Sequence, residues 1–92
     1  MMSIKVILFA NYREIVGSKE VEINSPLSTV QEVVNELTGK FPALIPFLYH
    51  EGELKRYVNI LVNGVTIKDT GGLITPVSDG NEIKVFPPVS GG

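Results

Sequence analysis

The sequence has no cysteine, no tryptophan and a single histidine, His50. Without cysteine there can be no disulfide, thiolate metal site or cysteine nucleophile, so stability has to come from packing. One histidine excludes any metal site built on a His pair and leaves only a carboxylate-lined ion site. Excess charge is scarce as well: 8 basic against 10 acidic side chains give a net charge of −2. Nucleic-acid binders usually show a strongly basic footprint, so DNA and RNA are not expected as partners. No stretch approaches the ~20 apolar residues of a membrane span, and Met1-Met2-Ser3-Ile4-Lys5 does not open like a signal peptide. A cytoplasmic protein without a membrane partner is expected. The 92 residues, 43% of them hydrophobic, suffice for one globular domain with a modest core. They leave little room for an enclosed substrate cavity.

Residues 3–10 read SIKVILFA, with Ile4, Val6 and Leu8 on one face and Lys5, Ile7 and Phe9 on the other. So apolar a run predicts a central strand buried on both faces. Asn11 to Gly17 fits a single helical turn closed by Gly17, and KEVEIN then alternates Val21 and Ile23 with polar residues as a half-exposed strand. Ser28 stands three residues before Gln31, the spacing of a capping box. Val30, Val33, Val34 and Leu37 follow on one helical stripe, and Gly39 is the expected stop. Valine is a mediocre helix former, so this helix depends on packing its stripe against a sheet. Phe41 to Gly52 reads as a partly helical connection. Tyr57 to Val62 is a strand by composition, Asn63-Gly64 suits a type I′ hairpin, and Val65 to Lys68 returns antiparallel. Gly71-Gly72 reads as a turn, Asp79-Gly80-Asn81 as another, and Glu82 to Phe86 as the last alternating strand.

Strand, strand, helix, strand, strand, strand is an α+β plan. Its simplest realisation is the β-grasp: a mixed sheet of about five strands, the first paired with the last, and one main helix packed on one face. The division predicted is a β-grasp domain over residues 1–86 and a flexible, extended Gly-Gly tail over residues 87–92.

Conventional catalytic arrangements are missing. No serine stands in a G-x-S-x-G elbow to use His50 as a base, and His50 reads as a surface residue at the end of a short helix. Gly71-Gly72 lacks the lysine and helix of a phosphate loop. The sequence closes instead on Pro87-Pro88-Val89-Ser90-Gly91-Gly92. The two prolines favour extended backbone, and six residues can carry a carboxylate up to about 20 Å from the sheet. Two glycines without Cβ atoms can thread a narrow channel. A frayed end is the plain alternative. A free carboxylate is a poor acyl donor, so a partner would have to activate it, for example as an acyl-adenylate.

Val6-Ile7-Leu8-Phe9-Ala10 with Tyr12-Arg13-Glu14, then Val62-Asn63-Gly64, Asp79-Gly80-Asn81-Glu82-Ile83 and Phe86 to Gly92 resemble the MoaD/ThiS sulfur carriers of the ubiquitin-like superfamily. The likeness is to the MoaD branch, the small subunit of molybdopterin synthase. Asn81 departs from the aspartate frequent there, at a position that serves the turn. The resemblance implies a non-catalytic carrier that binds no cofactor and no metal of its own. Gly92 would be adenylated with ATP by a ubiquitin-activating-type adenylyltransferase (MoeB/ThiF-like), then thiocarboxylated from a sulfur donor. Gly91, Ser90, Val89 and Pro88 would thread the active site of the large synthase subunit (MoaE-like), where the sulfur enters the molybdopterin dithiolene from precursor Z. An archaeal-type modifier joined through Gly92 to lysines, a carrier for tRNA thiolation, and an interaction module with an inert tail stay open. Phe9, Phe86 and Pro88 are candidates either for the core or for an exposed docking patch, and Arg13, Lys55, Arg56 and Lys84 for pairing with acidic partner groups.

Overall fold

The structure, a computed structural model, describes residues 2–87. The expected tail residues Pro88, Val89, Ser90, Gly91 and Gly92 therefore lie outside the described residues. Alternation of apolar residues builds β1 (Ile4–Leu8), after which Ala10 takes a left-handed φ of 52° and the chain enters α1 (Ala10–Val16). Gly17, at φ 84°, closes this helix, its N–H donating to the Arg13 carbonyl at 2.9 Å. β2 (Glu20–Ile23) then returns antiparallel to β1.

The valine stripe forms α2 (Val30–Lys40), with Val30, Val33, Val34 and Leu37 all buried. Its cap lies one residue beyond the expected Ser28. Thr29 is the N-cap: its hydroxyl accepts the Glu32 N–H at 3.4 Å, and the Glu32 carboxylate accepts the Thr29 N–H at 3.2 Å. The same carboxylate also takes the Ser28 N–H at 2.5 Å. A charged acceptor at the positive end of the helix satisfies two orphan donors, which explains why Glu32 and not Gln31 closes the box. Gln31 instead donates to Asn35 and to the Tyr49 hydroxyl. Gly39 does not stop the helix either; α2 runs to Lys40 and breaks at Phe41, whose φ of −129° and ψ of 74° reflect the proline that follows.

A 3₁₀ turn at Pro42–Leu44 and α3 (Ile45–Leu48) make up the expected connection, anchored by the buried Leu44 and Leu48. A small hairpin that the composition did not announce follows, β3 (Tyr49–His50) with β4 (Glu53–Leu54). The next strand starts at Asn59 rather than Tyr57, because the Val58 N–H donates back to the Lys55 carbonyl at 3.1 Å and turns Arg56 and Tyr57 out of the ladder. Asn63 and Gly64, at φ 48° and 87°, join β5 (Asn59–Val62) to β6 (Val65–Thr66) as a type I′ turn requires. β6 is shorter than expected, since Thr66 caps a 3₁₀ turn over Ile67–Asp69. β7 (Glu82–Phe86) completes a five-stranded sheet of order β2-β1-β7-β5-β6, in which β1 and β7 run parallel. This is the β-grasp arrangement.

β1 is flanked by a strand on each side, yet only one of its faces is covered. Ile4, Val6 and Leu8 join the α2 stripe, Ile23, Ile60, Ile83 and Val85 in one core, while Lys5 is exposed and Ile7 half-buried. The expectation of burial on both faces is corrected: the one long helix lines one side of the sheet. Tyr12 sits in the same core at 1% exposure, and its hydroxyl has no hydrogen-bond partner among the described residues. Burial pushes its pKa above the ordinary phenol value.

Thr29→Ala is expected to cost about 1 kcal/mol of stability in urea unfolding, and Ser28→Ala only a few tenths, because only Thr29 caps α2 with its side chain. Equal losses would disprove the cap assignment. Tyr12→Phe removes a buried hydroxyl that no described residue satisfies, so at neutral pH it should leave stability unchanged or raise it by up to about 1 kcal/mol. Because the folded state holds the phenol proton more tightly, the Tyr12 contribution is intact below about pH 10 and fades as pH rises further. Unfolding curves of the two proteins should therefore diverge in that alkaline range, in favour of Phe.

Candidate functional site

Strand register decides which side chains share the uncovered face of the sheet. Ile4 pairs with Ile23 and Val6 with Val21 on the core side, so Lys5 and Ile7, opposite Glu22 and Glu20, lie on the other. β7 adds Glu82, Lys84 and Phe86 to that outer face, β5 adds Asn59 and Leu61, and β6 adds Thr66. None of these residues is buried. Ile7 and Leu61 flank Lys84 of β7 from either side, and Phe86 stands two residues further along β7; these three apolar residues belong to no core, and they share the face with two exposed ion pairs, Lys5–Glu20 and Lys84–Glu82, each at 3.8 Å. Such pairs contribute little stability and leave the cations available to other partners.

Phe9 completes the apolar set. The left-handed turn at Ala10 ends β1 and leaves the Phe9 ring on that of Phe86, with centroids 4.2 Å apart and planes 11° from parallel. Both rings are half-buried, and neither packs into the main core. Of the two readings open for them, the core is therefore the one the packing does not show. Phe86 is the last residue of the central strand, and Pro87, half-buried, follows directly. Whatever continues from Pro87 starts from the stacked aromatic pair.

The sequence-predicted site residues thus divide into four groups, of which Lys55 and Arg56 stand in the turn before β5. Phe9, Phe86 and Lys84 are brought together on the open face. Arg13 stands apart from the sheet, exposed in the last turn of α1, with no ion pair among the described residues. Gly92, Gly91, Ser90, Val89 and Pro88 lie outside the described residues. Ile7 and Leu61 are not among the docking candidates read from the sequence, although the period-2 alternation of their strands puts them on this face. His50 is exposed two residues beyond α3, opposite Glu53 in the β3–β4 hairpin, and Gly71-Gly72 forms a turn with positive φ at both residues. Among the described residues no three His, Asp or Glu side chains gather to hold a metal ion, and no helix is long and apolar enough to cross a membrane.

A β-grasp sheet with its final strand at the centre and one face uncovered is the plan of the ubiquitin-like carriers and modifiers. The chain belongs to the ThiS family, whose profile matches residues 6–92. It is 36% identical to small archaeal modifier protein 3 of Haloferax volcanii, over 99% of this chain and 100% of that one. It is also 33% identical to the molybdopterin synthase sulfur carrier subunit of Arabidopsis thaliana, over 99% of this chain and 84% of that one. Among solved structures, small archaeal modifier protein 1 of Methanosarcina acetivorans superposes with a TM-score of 0.88 at 39% identity, covering 100% of this chain and 98% of that one. Proteins of this family are small sulfur carriers or modifiers and not catalysts.

A double-mutant cycle on Phe9→Ala and Phe86→Ala, followed by thermal unfolding, should return a coupling of about 1 kcal/mol between the rings. A coupling near zero would show that the two rings are independent contributors to the surface.

Proposed function

We propose that the chain is a sulfur carrier whose working group is the Gly92 carboxylate, in the small-subunit role of a molybdopterin synthase. The observation that carries this reading is the base of the C-terminal segment. Central strand β7 hands over to Pro87 from the Phe9–Phe86 stack, and the sequence beyond closes on Gly91-Gly92. A ubiquitin-activating-type partner would join the carboxylate to the α-phosphate of ATP and release pyrophosphate. A sulfur donor at the sulfide level would then displace AMP and leave a thiocarboxylate. In the pocket of a large synthase subunit, that sulfur would pass to the dithiolene of molybdopterin. Val89, Ser90 and Pro88 supply the reach, and the chain itself holds no cofactor. Ile7, Leu61, Phe9 and Phe86 form the surface on which both partners dock in turn, with Lys84 among them facing an acidic group and Arg13, on α1 away from the sheet, facing another. The cytoplasm, where ATP-dependent activation takes place, is the compartment this reading requires.

A second reading rests on the likeness to archaeal modifiers at 36% identity. The same acyl-adenylate would then be attacked by a lysine amine, leaving an isopeptide bond in place of the thiocarboxylate. Transfer of the sulfur to tRNA is a further use of the same activated terminus.

Incubation with the activating enzyme, ATP and a sulfur source should raise the intact mass by one oxygen-to-sulfur exchange, located on Gly92 by fragmentation. A variant lacking Gly92 should show no shift. An unchanged mass, or sulfur transfer that persists without Gly92, defeats the proposal, whereas target lysines bearing this chain without a thiocarboxylate intermediate establish the modifier reading.

A further inference from the structure

The turn that precedes β5 forms a second surface, separate from the open sheet face. Asn59 pairs with Phe86, and β5 runs antiparallel to β7, so the Lys55–Val58 turn lies at the end of the sheet where β7 stops. Buried Val58 anchors the turn, while Tyr57 stands 69% exposed at its corner beside exposed Arg56. Together with Leu54, Lys55, Glu53 and His50 these residues line a shallow groove of about 490 Å³. A tyrosine ring so exposed on a turn fixed from below contributes nothing to the core. Among the described residues neither Lys55 nor Arg56 forms an ion pair; the pairs present are Lys5–Glu20 and Lys84–Glu82. Lys68 adds a further cation at the same end of the sheet, its ammonium donating to the Asn59 side-chain carbonyl at 3.4 Å.

The charge of the groove limits what it can hold. Lys55 and Arg56 set against Glu53 leave an excess of one positive charge when His50 is neutral. That suits one carboxylate and suits a polyphosphate or nucleic-acid backbone poorly, because the Glu53 carboxylate would repel it. The apolar flank of Leu54 and Tyr57 requires an apolar contact beside that carboxylate.

We infer that this groove receives a short segment of the activating enzyme in which an acidic residue stands next to an apolar one. Its carboxylate meets Arg56 and Lys55, and its apolar side chain lies on Tyr57 and Leu54. The inference rests on the carrier reading, since it is the enzyme acting on Gly92 that supplies the segment. Contact at the end of β7 would orient the domain while the sheet face supplies area, and charged contacts of this kind set encounter and specificity.

ATP–pyrophosphate exchange catalysed by the activating enzyme of the same organism, measured against carrier concentration, tests it. Arg56→Glu should raise the KM for the carrier on the order of tenfold with kcat within about twofold, and Tyr57→Ala should raise it at least about threefold. Lys40→Glu, an equal charge change on an exposed residue at the end of α2, should leave KM unchanged. Thermal midpoints should match throughout, since the altered side chains are exposed. A KM for Arg56→Glu less than about threefold above wild type, or an equal rise for Lys40→Glu, overturns the groove assignment while the carrier reading stands. No exchange with the wild-type chain defeats the carrier reading itself, and the groove assignment with it.

Discussion

The parallel pairing of β1 with β7 is the constraint on which the rest depends. It joins Lys5 to Glu82 and Leu8 to Val85, residues almost the whole chain apart. A parallel pair cannot be closed by a tight turn, so everything between the two strands has to cross the sheet and return. α2 makes that crossing, which is why its valine stripe and the inner faces of β1 and β7 share one core. Such a long-range pairing is slow to form, but once formed it holds β7 between β1 and β5. The strand from which the C-terminal segment departs is therefore held on both sides, in the middle of the sheet. A partner that pulls on that segment pulls on the centre of a sheet and not on a frayed edge.

A sheet with one covered face has to leave the other to solvent or to partners. Lys5, Glu20, Glu22, Glu82 and Lys84 keep much of the outer face wet. Ile7, Leu61, Phe9 and Phe86 do not, and the backbone gives something up to place one of them. Ala10 adopts a left-handed φ of 52°, a conformation costing an L-residue about 1–2 kcal/mol, directly after Phe9. The stacked ring on Phe86 is what that turn achieves. The strain thus serves a half-buried aromatic pair that lies outside the main core.

What was legible in the sequence is what local chemistry determines. Asn63-Gly64 fixed its hairpin because both residues tolerate positive φ, and the α2 stripe was readable because burial repeats with the helical period. The errors arose where two local candidates competed. Ser28 with Gln31 and Thr29 with Glu32 have the same spacing, and only the charge of Glu32 at the helix N-terminus separates them. Gly39 and the Phe41-Pro42 step both suggest a helix end, and a glycine that never takes positive φ is the weaker stop. The depth of β1 departs from its sequence pattern for a different reason. An apolar run shows that a strand is central, not that a second layer exists to cover it. Tyr57 looked like strand because aromatic residues favour strands; the Lys55–Val58 turn that expels it depends on Val58 being drawn into the core.

Absence of cysteine acquires meaning from this geometry. A chain that carries sulfur without a thiol has to carry it on its main chain, and the only main-chain carboxylate is the terminal one. In the carrier reading proposed above, the reactivity of that group is conferred inside another protein's pocket. The domain's own contribution is positional: a held central strand, a proline step, and surfaces that set the angle of approach. One apolar sheet face fixes distance well but direction poorly, since apolar contact is non-directional. A charged groove at the end of β7 supplies the missing direction, because a guanidinium and a carboxylate meet in few orientations. Under the proposed carrier role, two surfaces at the base of one segment, one apolar and one charged, are what a small domain needs to aim a terminus that a partner activates.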